Sequence, residues 1–179
     1  PQCGVAGNDF RNGFNETTRA SIFKGLYESP FASLIPAVSL WYRESSTLVL
    51  DRDVGQLKYK GVDVCSDEGA RQGCGFGSFL FCVSFHRCLT LAQRQHPDCV
   101  FLAYCDDTYV FHPTSPKAAY AALCTLRDLC IDLNKLESVP SKSFFYTPSA
   151  TSDLSFLPIE TEGNPMHANG RLTCFKAVG

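Results

Sequence analysis

Phe101-Leu102-Ala103-Tyr104-Cys105-Asp106-Asp107-Thr108-Tyr109-Val110-Phe111 reads as an apolar strand, two adjacent carboxylates and a second apolar strand. Such a stretch folds back as a hairpin with the acidic pair at its tip. At about 4 Å, two like charges repel by roughly 4 kcal/mol at an effective dielectric of 20. A cation held at the tip would relieve that repulsion. Hard divalent ions such as Mg²⁺ take carboxylate and phosphate oxygens, so phosphoryl transfer is the first chemistry the pair points to. The ordinary alternative is an Asp-Asp turn facing water, because Asp is a favoured turn residue. The flanks and two further motifs weigh against it here.

The 179 residues make about one domain, with a hydrophobic fraction of 45%, enough for a sizeable core. No run approaches the roughly 18 apolar residues of a membrane span, and no basic or apolar leader marks a signal peptide. The start at Pro1 without Met leads us to expect a fragment or excised domain. Sixteen Lys plus Arg against eighteen Asp plus Glu give a net charge of −2, without the basic excess of a self-sufficient nucleic-acid binder. Other segments would have to supply much of any phosphate contact. The ten cysteines include no Cys-x-x-Cys pair and form no ligand-spaced set with the four histidines, which argues against structural zinc. Most of them sit in apolar stretches as small hydrophobes. That usage points to a reducing, intracellular compartment, nuclear or cytoplasmic.

Residues up to Asn8 read as the end of a short strand. Asn15 as N-cap, Glu16 in the first turn and Ile22, Phe23, Leu26 and Tyr27 at helical spacing predict a helix over 16–28. A second helix is expected over 32–43, carrying Leu34, Val38 and Trp41. The β-rich 47–50 and the alternating 57–60 predict a hairpin whose Lys58 and Lys60 share a face, either solvated or against a phosphate backbone. The Gly-rich run 66–78 opens a helix over 78–93, apolar around most of its girth and therefore buried. Ser115-Pro116 starts a helix that runs to about 130. Asp132-Leu133-Asn134 reads as a turn and 143–146 as a strand. Residues 1–147 form one unit, and 148–179 read as a loosely packed tail or connector. The order β-α-α-β-β-α-β-β-α-β is α+β, an antiparallel sheet backed by helices.

Three motifs now stand in order. Asp9-x-x-x-Gly13-Phe14-Asn15 marks a strand-to-helix transition, Gly69-x-x-Gln72-Gly73 opens the buried helix, and Tyr104-Cys105-Asp106-Asp107 joins two apolar strands. Over roughly residues 5–147 this set resembles the palm domain of reverse transcriptases, most of all those of non-LTR retroelements. The family's stretches look like Asp-x-x-x-Ala-Phe-Asp, Gly-x-x-Gln-Gly and Tyr-x-Asp-Asp. The resemblance implies a polymerase palm with an RRM- or ferredoxin-like sheet. It also implies RNA-directed DNA polymerase activity, by two-metal nucleotidyl transfer, in a retrotransposon-like element. The catalytic residues it implies are Asp9, Asp106 and Asp107. These, with the backbone carbonyl of Phe10, would hold two Mg²⁺ ions, or Mn²⁺ in their place. Phe14 would stack on the deoxyribose and exclude a 2′-hydroxyl, and Gln72 and Gly73 would line the incoming nucleotide and template. Tyr104 and Cys105 would lie on the primer side. The implied partners are an RNA template, a DNA primer and dNTPs, with no membrane. Fingers, thumb and endonuclease regions would come from elsewhere in the same polyprotein.

The sequence departs from that pattern in three places. Gly13 stands for Ala, and Gly75 stands where Pro is common, which loosens the loop. In Leu133-Asn134-Lys135-Leu136-Glu137, Glu137 takes the position of the family's Lys, which protonates the pyrophosphate leaving group. Lys135, two residues away, is then the general-acid candidate, with Lys142 further on. These departures leave open a catalytically silent or domesticated remnant that serves as a nucleic-acid or protein interaction module. An RNA-dependent RNA polymerase palm is the other alternative, although that family more often carries Gly-Asp-Asp and a small residue at the Phe14 position.

Overall fold

The computed structural model describes residues 2–48, 64–71, 73–139, 142–148 and 155–157. Its elements run β1 (Gly4–Asn8), α1 (Gly13–Glu16), α2 (Arg19–Tyr27), α3 (Ile35–Tyr42), β2 (Ser46–Leu48), β3 (Val64–Ser66), α4 (Gly77–Gln95), β4 (Val100–Tyr104), β5 (Asp107–His112), α5 (Pro116–Asn134) and β6 (Phe144–Tyr146). Four strands form an antiparallel sheet in the order β4-β5-β1-β6, and β2 and β3 form a separate pair. The α+β class and the antiparallel sheet backed by helices are as expected.

β1 is central because its small, alternating residues fit between two neighbours. It pairs with β5 from Gly4↔His112 to Asn8↔Thr108, and with β6 from Val5↔Tyr146 to Gly7↔Phe144. Strand alternation turns Ala6, Asn8 and Phe10 toward the helices, where they are buried. Val5, Gly7 and Asp9 are left on the open face. The Phe144 ring lies over Gly7, so closely that a Cβ there would stand 2.1 Å from a ring carbon. Only glycine permits that approach.

One apolar cluster joins α2, α3, α4 and α5 through Ile22, Leu26, Val38, Tyr42, Leu80, Phe81, Phe85 and Leu126. A second joins α5 to the sheet through Ala6, Val110, Leu123 and Phe145. Full burial of each large side chain contributes about 1.5–3 kcal/mol. Ser115 caps α5 by accepting from the Ala118 N–H, with Pro116 in the first turn. That is the start the sequence announces.

Several expectations are corrected. The helix over 16–28 is two helices. Asn12, not Asn15, precedes α1, and Thr18 caps α2 by accepting from the Ser21 N–H. The chain breaks there because Thr17 is fully buried, its hydroxyl 3.2 Å from that of Ser84. The helix over 32–43 begins as a 3-10 turn (Ala32–Leu34) and buries Tyr42, while Trp41 is exposed and stacks on Phe76. β2 pairs with β3, and the 57–60 segment with Lys58 and Lys60 lies outside the described residues. α4 is less buried than its composition implies, since Cys82 and His86 are exposed. α5 continues to Asn134, so Asp132-Leu133-Asn134 is its last turn and not a loop. Part of the expected tail packs: the Phe156 ring is 5.6 Å from that of Phe145, and Leu157 is buried.

Candidate functional site

Tyr104 pairs with Asp107, so the hairpin turn consists of Cys105 and Asp106, and Asp107 already belongs to β5. The acidic pair is therefore divided between turn and strand. Cys105 has φ 53 and Asp106 does not share the positive sign. This is the pattern of a II′ turn, whose first central position usually holds Gly. A side chain there costs about 1–2 kcal/mol. Strain thus sits beside the carboxylates. One step beyond Asn8↔Thr108, the β1–β5 register sets Asp9 opposite Asp107 on the open face. Asp106 packs against the start of α1, where a methyl on Gly13 would stand 3.4 Å from the Asp106 Cβ.

The electrostatics agree with that convergence. Burial pushes the Asp107 carboxyl up, the neighbouring Asp106 and Asp9 carboxylates push it further, and Lys142 opposes them. The Lys142 ammonium lies 2.5 Å from Asp9 Oδ2, and its hydrogen bond and charge interaction with Asp9 hold its pKa above the usual lysine value.

The segment 137–139 runs beside the residues that follow β1. Val139 N–H donates to Asp9 O at 2.9 Å and Arg11 N–H donates to Glu137 O at 2.8 Å, while Phe10 faces Ser138 in an antiparallel bridge. With its neighbours bonded to that side, Phe10 turns its own N–H and C=O to the opposite edge, toward β5. Glu137 pairs with Arg11 at 3.0 Å, and both side chains are more than half exposed (59% and 58%), so the pair adds little stability. Lys135 makes a different contact. Because α5 runs to Asn134, Lys135 becomes its left-handed cap, with φ 60 and its Nζ 3.5 Å from Asp132 O. Lys142 is the lysine that the fold delivers to Asp9.

The Gly-rich loop is anchored to α1. Gly69 N–H donates to Thr17 O at 3.0 Å and Ala70 N–H to Phe14 O at 2.6 Å. Gly69 has φ 78, and a Cβ there would stand 2.5 Å from Asn15 O, so no other residue fits. Phe14 stacks on Phe81 with centroids 4.7 Å apart. Beside it lies a cleft of about 230 Å³ lined by Phe14, Arg71, Gly73, Cys74 and Ser78. Gly73 is exposed at φ 82, and Gln72 lies outside the described residues. The reading of the sequence missed Arg71. Its guanidinium sits 5.4 Å over the Tyr42 ring, its side chain reaches Ser46 Oγ, and Arg19 covers Tyr42 at 5.6 Å. The one signal for it was a cation inside a glycine loop. Tyr104 is 69% exposed on the open face. The half-buried Cys105 faces Cys82, which is exposed as a residue but whose thiol is pushed up to about 11 by its partial burial and then by Cys105.

A larger groove, of about 840 Å³, runs along α4 from Phe79 to Arg94 against Ser29-Pro30-Phe31 and contains neither the aspartates nor Phe14. Among the described residues, no group of three or more His, Cys, Asp or Glu side chains stands ready to hold a metal ion. The donors at the sheet end are the hard oxygens Mg²⁺ takes, but as placed Asp9 is neutralised by an ammonium. No described helix is long and apolar enough to cross a membrane.

No family model matches the chain, and no curated protein does. Solved structures do. Apo telomerase from Candida tropicalis, truncated from its C-terminal domain, superposes with a TM-score of 0.57 at 12% identity, covering 86% of this chain and 32% of that one. Telomerase from Candida albicans, in complex with the TWJ fragment of telomeric RNA, gives 0.50 at 11% identity, covering 91% and 29%. The chain spans about a third of the length of these telomerases. At such identities the likeness concerns the fold alone, which this chain shares with part of these telomerases.

Proposed function

We propose that this chain is the palm of an RNA-directed DNA polymerase. The observation that carries the reading is the convergence of Asp9, one residue beyond the end of β1, with Asp107 at the start of β5 and Asp106 in the hairpin turn, near enough that both neighbouring carboxylates raise that of Asp107. Phosphoryl transfer asks a protein for positioning and charge neutralisation more than for covalent chemistry. Asp9, Asp107 and Asp106 are the residues that would hold Mg²⁺, with the Phe10 carbonyl turned toward the same edge. The ions, when bound, supply charge neutralisation for the attacking and leaving oxygens. Phe14 closes the cleft against a 2′-hydroxyl, and Gly73 lets a nucleotide approach the backbone. Tyr104 flanks the primer end of the open face. The RNA template, the DNA primer and an origin in a non-LTR element belong to the same proposal. The telomerase likeness supports it at the level of fold, and the Gly-x-x-Gln-Gly and Tyr-x-Asp-Asp stretches support it at the level of motif.

A second reading is favoured by the Lys142–Asp9 pair and the Arg11–Glu137 pair. A remnant that no longer binds divalent ions could settle into such internal neutralisation and act as an interaction module. Primer extension on poly(rA)·oligo(dT) with dTTP and Mg²⁺, using the full-length protein, separates the two. Synthesis that falls to background in both Asp9→Asn and Asp107→Asn is expected. Synthesis unchanged in Asp9→Asn sinks the polymerase reading, and no synthesis by a folded wild-type protein selects the module.

A further inference from the structure

Asp9 and Lys142 meet through segments far apart in the chain, and a single side chain holds both segments from behind. Arg127, on α5, donates from Nε to Asn8 Oδ1 at 2.9 Å and from Nη2 to Ser143 Oγ at 2.6 Å. Ser143 Oγ also lies 3.1 Å from Asn8 Oδ1 and 3.1 Å from Val139 O. Its one proton serves one of these acceptors at a time. Asn8 and Ser143 are 4% and 1% exposed. Asn8 immediately precedes Asp9, and Ser143 immediately follows Lys142. Val139, the third point of attachment, donates its N–H to Asp9 O. The residues next to those Arg127 grips are therefore the two that form the 2.5 Å ion pair.

We infer that Arg127 is a positioning residue that sets the approach of Lys142 to Asp9. A guanidinium fork fixes two acceptors in one plane, which an ammonium cannot do. Without the fork, Asn8 and Ser143 lose their common partner. The segment carrying Lys142 then moves off Asp9, and the aspartates lose their internal cation. The consequence for nucleotidyl transfer rests on the polymerase reading. The positioning of Lys142 does not.

The test is ¹³C NMR of the full chain with its lysines reductively dimethylated, at one fixed pH. The Lys142 signal is assigned by its loss in Lys142→Arg. In the wild-type protein its ion pair should set it apart from the other lysines, and it should join them in Asp9→Asn. It should also join them in Arg127→Met, in Arg127→Lys and in the smaller deletion Ser143→Ala, which keeps the test open if the arginine variants fail to fold. A Lys142 signal that stays in place in Ser143→Ala and in a folded Arg127→Met overturns the inference. So does recovery of the wild-type position in Arg127→Lys, since charge alone would then suffice. Separately, Mn²⁺ added to the wild-type protein should broaden the Lys142 signal. If it does not, the divalent-ion reading fails while the positioning of Lys142 by Arg127 stands.

Discussion

The Nζ of Lys142 lies 2.5 Å from Oδ2 of Asp9, just beyond the end of β1, where the Asp9 carboxylate also acts on that of Asp107. The ammonium is 63% exposed and the carboxylate 17%. Lys142 is thus the counter-ion of a site that otherwise gathers negative charge. Burial and two neighbouring carboxylates all raise the Asp107 carboxyl from its usual 3.8.

Replacing Asp107 relieves that repulsion. A raised folded-state pKa means full stability below the unfolded value and a loss as pH rises through the folded value. Asp107→Asn should therefore raise the melting temperature at pH 7, without divalent ions, by a small amount after solvent screening. At pH 3 variant and wild type should melt together. Thermal denaturation at the two pH values checks this, and a lowered melting temperature at pH 7 contradicts it.

Phe14 stacks on Phe81 and borders the cleft that holds Arg71 and Gly73. Phe14→Val should cost about 1 kcal/mol through the lost ring pair. It should also lower the preference for dNTP over rNTP, measured as the ratio of kcat/KM, by about tenfold or more, which is 1.4 kcal/mol of discrimination. Lost stability with unchanged discrimination would reduce Phe14 to a core residue.

Lys135 holds a left-handed backbone at the end of α5. Lys135→Gly should stabilise the chain by about 0.5–1 kcal/mol, because Gly adopts that conformation without the Cβ penalty. Primer extension should be unaffected. Urea unfolding and kcat together check the pair of outcomes, and a large fall in kcat would return Lys135 to the general-acid role.

The cysteines near the site should differ in reactivity. The Cys82 thiol is pushed up to about 11 by burial, Cys105 and Asp106, while hydrogen bonding to Tyr42 lowers that of Cys74. The raised Cys82 thiol stays protonated at pH 8, so iodoacetamide should modify Cys74 before Cys82. Mass spectrometry of the labelled peptides reads the order, and the reverse order contradicts the geometry.

The strands of the four-stranded sheet and the capped start of α5 were legible because alternation and capping are local signals, whereas β3, the partner of β2, was not expected. The break at Thr17 was not, since it depends on Ser84 across the core. Tyr42 replaces Trp41 as the buried aromatic because Arg19 and Arg71 converge on its ring, and no local periodicity carries that information. Of the site, Asp9 and the Asp-Asp pair were visible as residues. Which aspartate joins the strand depends on pairing parity, which only the partner strand decides. Lys142 was visible only as the more distant alternative to Lys135, since nothing local places it beside Asp9. It reaches Asp9 through the 137–139 segment and the Arg127 network.

Direct binding of Mn²⁺ to the full-length protein, followed by electron paramagnetic resonance, bears most closely on whether the aspartates form a cation site. Binding should weaken at least tenfold in Asp9→Asn and in Asp107→Asn and stay unchanged in Lys135→Ala. Equal binding by the wild-type protein and both aspartate variants, or none by a folded wild-type protein, would contradict a divalent-ion centre at the end of this sheet.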